Sequence, residues 1–203
     1  MIVFMRRSAV WFLLSTCLDL LADAFALNVT DLGHLTWSLT NAPHPHRSNE
    51  FERSPFVNVS VAASLPGTVH GALMDAGVLP EDPLIGYNEQ TYRWVALSNW
   101  TYSSTLDISP ATISAYGALE LVLEQVDTFA SVELNGVVLA TLDNSFARHV
   151  VRLDFPSSPL RVGRNSLRLR FTSALTSAAA AADRYPYPVP DNSELIACKT
   201  WQG

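Results

Sequence analysis

From Trp100 to Phe171 the chain repeats with a period of two, and that rhythm restricts the fold more than any other feature. Successive side chains of a β-strand point to opposite faces, so strict apolar/polar alternation buries one face and wets the other. Trp100-Thr101-Tyr102-Ser103-Ser104-Thr105-Leu106-Asp107-Ile108 opens the pattern, and Leu119, Leu121 and Leu123 alternate with Glu120, Val122 and Glu124. Ala130–Leu134 and Val137–Ala140 flank Asn135-Gly136, a dipeptide suited to the positive φ values of a type I′ hairpin turn. Arg148–Phe155 supplies another strand, and Leu167, Leu169 and Phe171 alternate with Arg168, Arg170 and Thr172 in a last one. Short half-buried strands separated by turn signals predict a mainly β, antiparallel sandwich.

Upstream the rhythm changes. A first strand is expected around Leu35–Leu39 and a second near Phe56–Ala62, with a polar, proline-broken loop over 41–55 between them. That loop holds His44 and His46, but with no cysteine or third histidine nearby the pair reads as solvent-exposed and not as a metal site. In Pro66–Gly77 the residues Val69, Ala72, Leu73 and Ala76 fall at helical spacing, with Thr68 as N-cap and Gly77 closing the C-terminus. This is one short amphipathic helix, and His70 lies off its apolar stripe, where exposure is expected. Ala174–Asp183 suits a helical turn or two, and Tyr185-Pro186-Tyr187-Pro188-Val189-Pro190 is extended because alternate prolines remove donors and fix φ.

The 203 residues, 48% hydrophobic and 16% charged, suffice for one ordinary core. Net charge is −6, and the basic residues are scattered without a run that could track a phosphate backbone, which argues against nucleic acid as a partner. Residues 1–26 read as a secretory signal peptide: Arg6 and Arg7 form the basic start, Ala9–Leu21 is largely apolar, and Ala24-Phe25-Ala26 gives the small-x-small pattern for cleavage after Ala26. Asp19 and Asp23 interrupt the apolar run below the length of a spanning helix, so no membrane anchor is expected after cleavage. Cleavage removes Cys17 and leaves Cys198 as the mature chain's single cysteine. The sequons at Asn28, Asn58 and Asn99 agree with a glycoprotein of the secretory pathway, bound for a lysosome, a vacuole or the cell exterior.

No nucleophile elbow, phosphate-binding loop, dinucleotide fingerprint or zinc-protease helix is present. Glycoside hydrolysis needs two carboxyl groups facing each other across a sugar. Glu120 and Glu124 lie four apart on one strand face, roughly 13 Å from each other at about 3.3 Å per residue, and read as a solvated face. Asp127 and Asp143 lie beside turns, where short acidic side chains satisfy backbone donors. No catalytic residue, cofactor site or metal site is expected in this chain.

Several segments in fixed order resemble β-mannosidases of glycoside hydrolase family two, especially the lysosomal type: Leu65-Pro66-Gly67-Thr68-Val69-His70, Tyr92-Arg93-Trp94-Val95, Asn99-Trp100-Thr101-Tyr102, Val126-Asp127-Thr128, Asp143-Asn144-Ser145-Phe146 and Arg184–Pro190. The resemblance covers roughly residues 60–190. It implies a jelly-roll sandwich of the galactose-binding type over 27–185, followed by a proline-rich linker and tail over 186–203. It also implies that the catalytic (β/α)₈ barrel, which takes about 250 residues, lies outside this chain. The full-length relatives remove terminal β-linked mannose from oligosaccharides. Relatives continue past the linker into segments that this chain lacks, so the sandwich is expected to be incomplete at its C-terminus. Asn88, Arg93, Trp94 and Asn144 lie in the motif loops and are the candidates to face substrate. The alternative for two of them is structural, Trp94 being a core aromatic and Arg93 a buried ion-pair partner. A freestanding carbohydrate-binding module is the competing function.

Overall fold

The computed structural model describes residues 1–7, 29–43 and 57–187. Their strands are β1 (Ile2–Arg7), β2 (Val29–Asp31), β3 (Trp37–Pro43), β4 (Ser60–Ala63), β5 (Ser98–Ile108), β6 (Ala118–Glu124), β7 (Ala130–Leu134), β8 (Val137–Leu142), β9 (His149–Asp154) and β10 (Gly163–Phe171). They build a four-stranded sheet of order β2-β1-β6-β9 and a six-stranded sheet of order β4-β3-β5-β10-β7-β8. Every pairing is antiparallel.

The alternation read from sequence sets the two inner faces. Trp100, Tyr102, Leu106 and Ile108 of β5, Leu167 and Leu169 of β10, and Val132 and Leu134 of β7 meet Leu119, Leu121 and Leu123 of β6 and Leu153 of β9 in one buried cluster. Burial of this apolar surface, at about 25 cal/mol per Å², is what holds the sheets together. The Asn135-Gly136 turn forms where expected, with both residues at positive φ (51° and 84°).

Two strand boundaries differ from the sequence expectation: β3 is carried on by pairing of Asn41, Ala42 and Pro43 with Trp100, Asn99 and Ser98 of β5, and the late start of β4 follows from the Asn41 side chain. β3 runs on to Pro43, and β4 begins only at Ser60. Asn41 donates through Nδ2 to the Val57 carbonyl (2.7 Å) and accepts through Oδ1 from the Val59 amide (2.8 Å), so those backbone groups are satisfied without a sheet ladder. Val122 is likewise not on a wetted face. It is 1% exposed, because β6 lies between β1 and β9 and Val122 is paired across to Phe4 and Val150. Ile2–Arg7, assigned by sequence to the leader, pair with β6 and β2, and Val3 and Met5 enter the core at 0% and 7% exposure.

Helix α1 (Val69–Asp75) is capped by the Thr68 hydroxyl, which accepts from the Gly71 amide at 3.0 Å. It closes with Gly77 N–H to Met74 O and Val78 N–H to Leu73 O, both 2.9 Å, with Gly77 at φ 67°. His70 is half-buried, contrary to the exposure expected, and burial lowers its pKa from 6.5. Where the sequence suggested one short helix and a helical turn or two over Ala174–Asp183, the described residues contain α2 (Asn88–Thr91), α3 (Trp94–Leu97), α4 (Pro110–Ala115) and, on the expected alanine-rich segment, α5 (Ala174–Arg184). The first three of these are single-turn or little longer, below the length at which apolar periodicity becomes readable.

Candidate functional site at one rim of the sandwich

Strand register brings four connections to one end of the molecule. Leu123 of β6 is opposite His149 at the start of β9, while Phe171 at the end of β10 is opposite both Ala130 and Trp100 at the starts of β7 and β5. Ala130 in turn faces Leu142 at the end of β8. The β6–β7 loop, the β8–β9 loop, the entry into β5 and the exit from β10 therefore share a rim, and loops at the ends of a sandwich are where recognition residues are displayed.

The β8–β9 loop is shaped by its own short polar side chains. Asn144 Oδ1 accepts from the Phe146 amide at 2.9 Å, and the Asn144 carbonyl contacts His149 Nε2 at 3.1 Å. This Asx turn leaves the Phe146 ring 99% exposed. Below it lies an open hollow of about 280 Å³, lined by Glu124, Gln125, Ser145, Phe146, Ala147 and Arg148. Arg148 Nε pairs with Glu124 Oε1 at 3.0 Å across the hollow. Gln125 has φ 55°, which turns the chain off β6 into the next loop, and there the Thr128 hydroxyl donates to the Asp127 carboxylate. An aromatic face beside a fixed polar pair offers what a carbohydrate needs, a stacking surface and directional hydrogen-bonding groups.

The four sequence candidates divide. Asn144 lies at this rim and is exposed. Trp94, the first residue of α3, is 7% exposed, and its ring packs on Trp100 with centroids 6.0 Å apart, so that face is committed to the core. Arg93 precedes it at the helix cap and is half-buried. Asn88 starts α2 and donates through Nδ2 to Asp82 O (2.9 Å) and Glu81 Oε2 (3.2 Å), bracing the preceding loop. Phe146 was quoted in sequence only as part of a motif. Its signal was an aromatic residue at the tip of an otherwise polar turn. The Glu124–Arg148 pair joins the end of β6 to the β8–β9 loop and had no local signal.

Besides Glu124, two carboxylates are paired with arginines. Glu133 is 6% exposed and bridges Arg168 and Arg170, each at 3.3 Å, and Asp154 pairs with Arg152 at 2.8 Å. Among the described residues no three His, Cys, Asp or Glu side chains gather as metal ligands, and no helix is long and apolar enough to cross a membrane. Of the sequons, Asn58 is exposed, Asn99 is half-buried and accepts through Oδ1 from the Ser173 amide (2.9 Å), and Asn28 lies outside the described residues.

The family described as glycosyl hydrolase 2 galactose-binding domain-like matches residues 37–202. The chain belongs to this family. A galactose-binding-like domain agrees with the two antiparallel sheets. Among curated proteins, the chain is 35% identical over 134 residues to a β-mannosidase of Rattus norvegicus, covering 66% of this chain and 14% of that protein. It is 38% identical over 121 residues to β-mannosidase A of Emericella nidulans, covering 52% and 13%. A solved structure of a β-D-mannosidase from Dictyoglomus thermophilum superimposes with a TM-score of 0.61 at 26% identity, over 75% of this chain and 16% of that one. The galactose-binding-like domain thus spans about one-seventh of the length of the β-mannosidases it matches.

Proposed function

We propose that this chain is the N-terminal, non-catalytic sugar-binding domain of a β-mannosidase, a protein whose full-length form hydrolyses terminal non-reducing β-D-mannose residues of oligosaccharides. The observation that carries this reading is the coincidence of the family match over 37–202 with similarity to β-mannosidases that extend far beyond it. The bond-cleaving carboxyl groups are supplied elsewhere in such a protein. In support, the rim carboxylate Glu124 is neutralised by Arg148, and Glu133 lies on the outer sheet face between two arginines. A retaining or inverting pair requires two carboxyl groups facing across one sugar.

The sugar-facing surface in this reading is the rim hollow, with Phe146 as the stacking face and Asn144, Gln125 and Arg148 as polar partners. The domain enters the secretory pathway through cleavage after Ala26, ends in a lysosome, a vacuole or the medium, and carries a glycan at the exposed Asn58. The test is twofold. The secreted chain should fail to turn over a chromogenic β-mannoside, and measurable turnover would end the non-catalytic assignment. Titration with β-mannobiose should shift rim resonances in the native chain and not in Phe146→Ala, and identical shifts in both would move the site elsewhere.

The exposure of Phe146 also favours a second reading, a freestanding carbohydrate-binding module. Binding of extended mannans by the secreted chain without the rest of a β-mannosidase would support it, and silence on a glycan array would remove it.

A further inference from the structure

Asn135-Gly136 is the one Asn-Gly pair in the sequence, and no other following residue leaves an asparagine so open to loss of its amide. Glycine has no Cβ to shield its nitrogen from the preceding side chain. The reaction needs only base and water. The Gly136 backbone nitrogen gives up its proton and attacks Asn135 Cγ; the N–Cγ bond forms, the Cγ–Nδ2 bond breaks, and Nδ2 leaves as ammonia with that proton. Water then opens the imide at one of its two carbonyl carbons. Breaking the new N–Cγ bond leaves aspartate, and breaking the original peptide bond leaves isoaspartate.

In the folded chain the carboxamide that must react is held at both ends. Nδ2 donates to Pro159 O and to Asn165 Oδ1, each at 2.8 Å, and Oδ1 accepts from the Ser166 amide at 2.9 Å. The backbone is fixed as well, because the Asn135 amide donates to Ser166 O at 2.8 Å. All these partners belong to the segment 159–166, and Asn165 among them is fully buried. Gly136 is exposed, so base and water reach its nitrogen freely. What is withheld is Cγ, since meeting that nitrogen turns the carboxamide out of its bracket and breaks the bonds that hold it.

We infer that the 159–166 segment guards Asn135 against deamidation, so that this residue is spared in the folded chain, is modified on unfolding, and once modified cannot rebuild its contacts. A carboxylate at 135 loses both donors and faces Pro159 O and Asn165 Oδ1, two acceptors, across a half-buried turn. Isoaspartate lengthens the backbone of a two-residue turn whose flanks, Leu134 and Val137, are paired. One residue thus records each excursion from the native state.

The purified chain is incubated at mildly alkaline pH in native buffer and in urea, digested, and scored at Asn135 by mass spectrometry and an isoaspartyl methyltransferase assay. Deamidation should run at least about tenfold slower in native buffer, because the bracket must open first. Asn165→Ala removes one arm of the bracket, whereas Leu153→Ala weakens the core in the other sheet and leaves the bracket whole. With stabilities matched by a little urea, Asn165→Ala should deamidate about fivefold faster than Leu153→Ala, the factor that one net hydrogen bond represents. Asn135→Asp, the reaction's own product, should unfold at a lower urea midpoint than the native chain. Equal rates in native buffer and in urea overturn the protection without recourse to any variant. Equal rates in the two matched variants assign the protection to global stability and overturn the bracket. An unchanged midpoint in Asn135→Asp overturns the claim that the modified turn cannot be rebuilt.

Discussion

Asn135 and Asn165 complete each other: Asn135 Nδ2 donates to Asn165 Oδ1 at 2.8 Å, joining the β7–β8 turn to the start of β10. Asn165 is fully buried. Its Nδ2 donates to the carbonyls of Arg161 and Gly163, both at 2.8 Å, and its Oδ1 also accepts from the Arg161 amide at 3.0 Å. Asn135 donates to Pro159 O as well and exchanges bonds with Ser166 through Oδ1 and its own amide. Asn165→Ala strands several of these groups without partners, each worth about 1–3 kcal/mol when buried. The expected loss is about 3 kcal/mol in urea unfolding. Asn165→Asp should be no better, because a carboxylate facing two carbonyls keeps the acceptor and loses both donors. A loss below about 1 kcal/mol for either would show that water replaces the missing bonds.

On the outer face of the six-stranded sheet, Glu133 is shielded by the two arginines it bridges. Arg168→Ala or Arg170→Ala alone should cost under about 1 kcal/mol, because the remaining guanidinium still pairs with the carboxylate and both arginines are half in solvent. The double variant should cost more than the sum, by about 0.5–1 kcal/mol. Strict additivity in the double-mutant cycle would mean that the two arginines act independently.

His70 sits half-buried in the first turn of α1, and its pKa is lowered from 6.5 by burial alone. The unfolded chain therefore takes up the proton more readily than the native one. Stability rises with pH across the window from the lowered native value to 6.5, is fully present above 6.5, and is lost as pH falls through the native pKa. The imidazole resonance should titrate with a midpoint below 6.5, and His70→Gln should flatten this part of the stability profile. A midpoint at or above 6.5 would contradict the burial assigned to it.

The sandwich and its inward residues were legible because period-two alternation is a local signal that tertiary packing obeys. Leu119, Leu121 and Leu123, the Asn135-Gly136 turn and the Thr68 cap all follow from residue type and spacing. Val122 was misplaced because burial of an outward residue depends on which strands flank β6, and strand order is set by contacts far apart in sequence. The same reason hid Asn41, whose side chain reaches residues 16 and 18 positions away, and the Glu124–Arg148 pair at the rim. At the candidate site, sequence marked the β8–β9 loop through its motif. It could not say that Asn144 shapes the turn while Phe146 presents the exposed face.

Trp94 and Phe146 provide opposite tests of core against surface. Trp94 is packed on Trp100, and Ser98 and Ser173 hydroxyls donate to carbonyls of α3, so this helix is tied to both β5 and the exit of β10. Trp94→Ala should cost about 3–5 kcal/mol, a large part of the 5–15 kcal/mol typical of a domain, and should lower secreted yield. Phe146→Ala removes a ring that touches almost nothing, and folding stability should stay within about 0.5 kcal/mol. If Phe146 serves as the stacking platform, its loss should instead weaken glycan binding by about 1–3 kcal/mol, the range for aromatic contacts at a recognition centre. A Phe146→Trp variant, with a larger face on the same exposed turn, should bind at least as tightly as the native chain. Calorimetry on all three variants separates the roles: loss of binding by Trp94→Ala at unchanged stability would place the sugar at α3 and not at the rim.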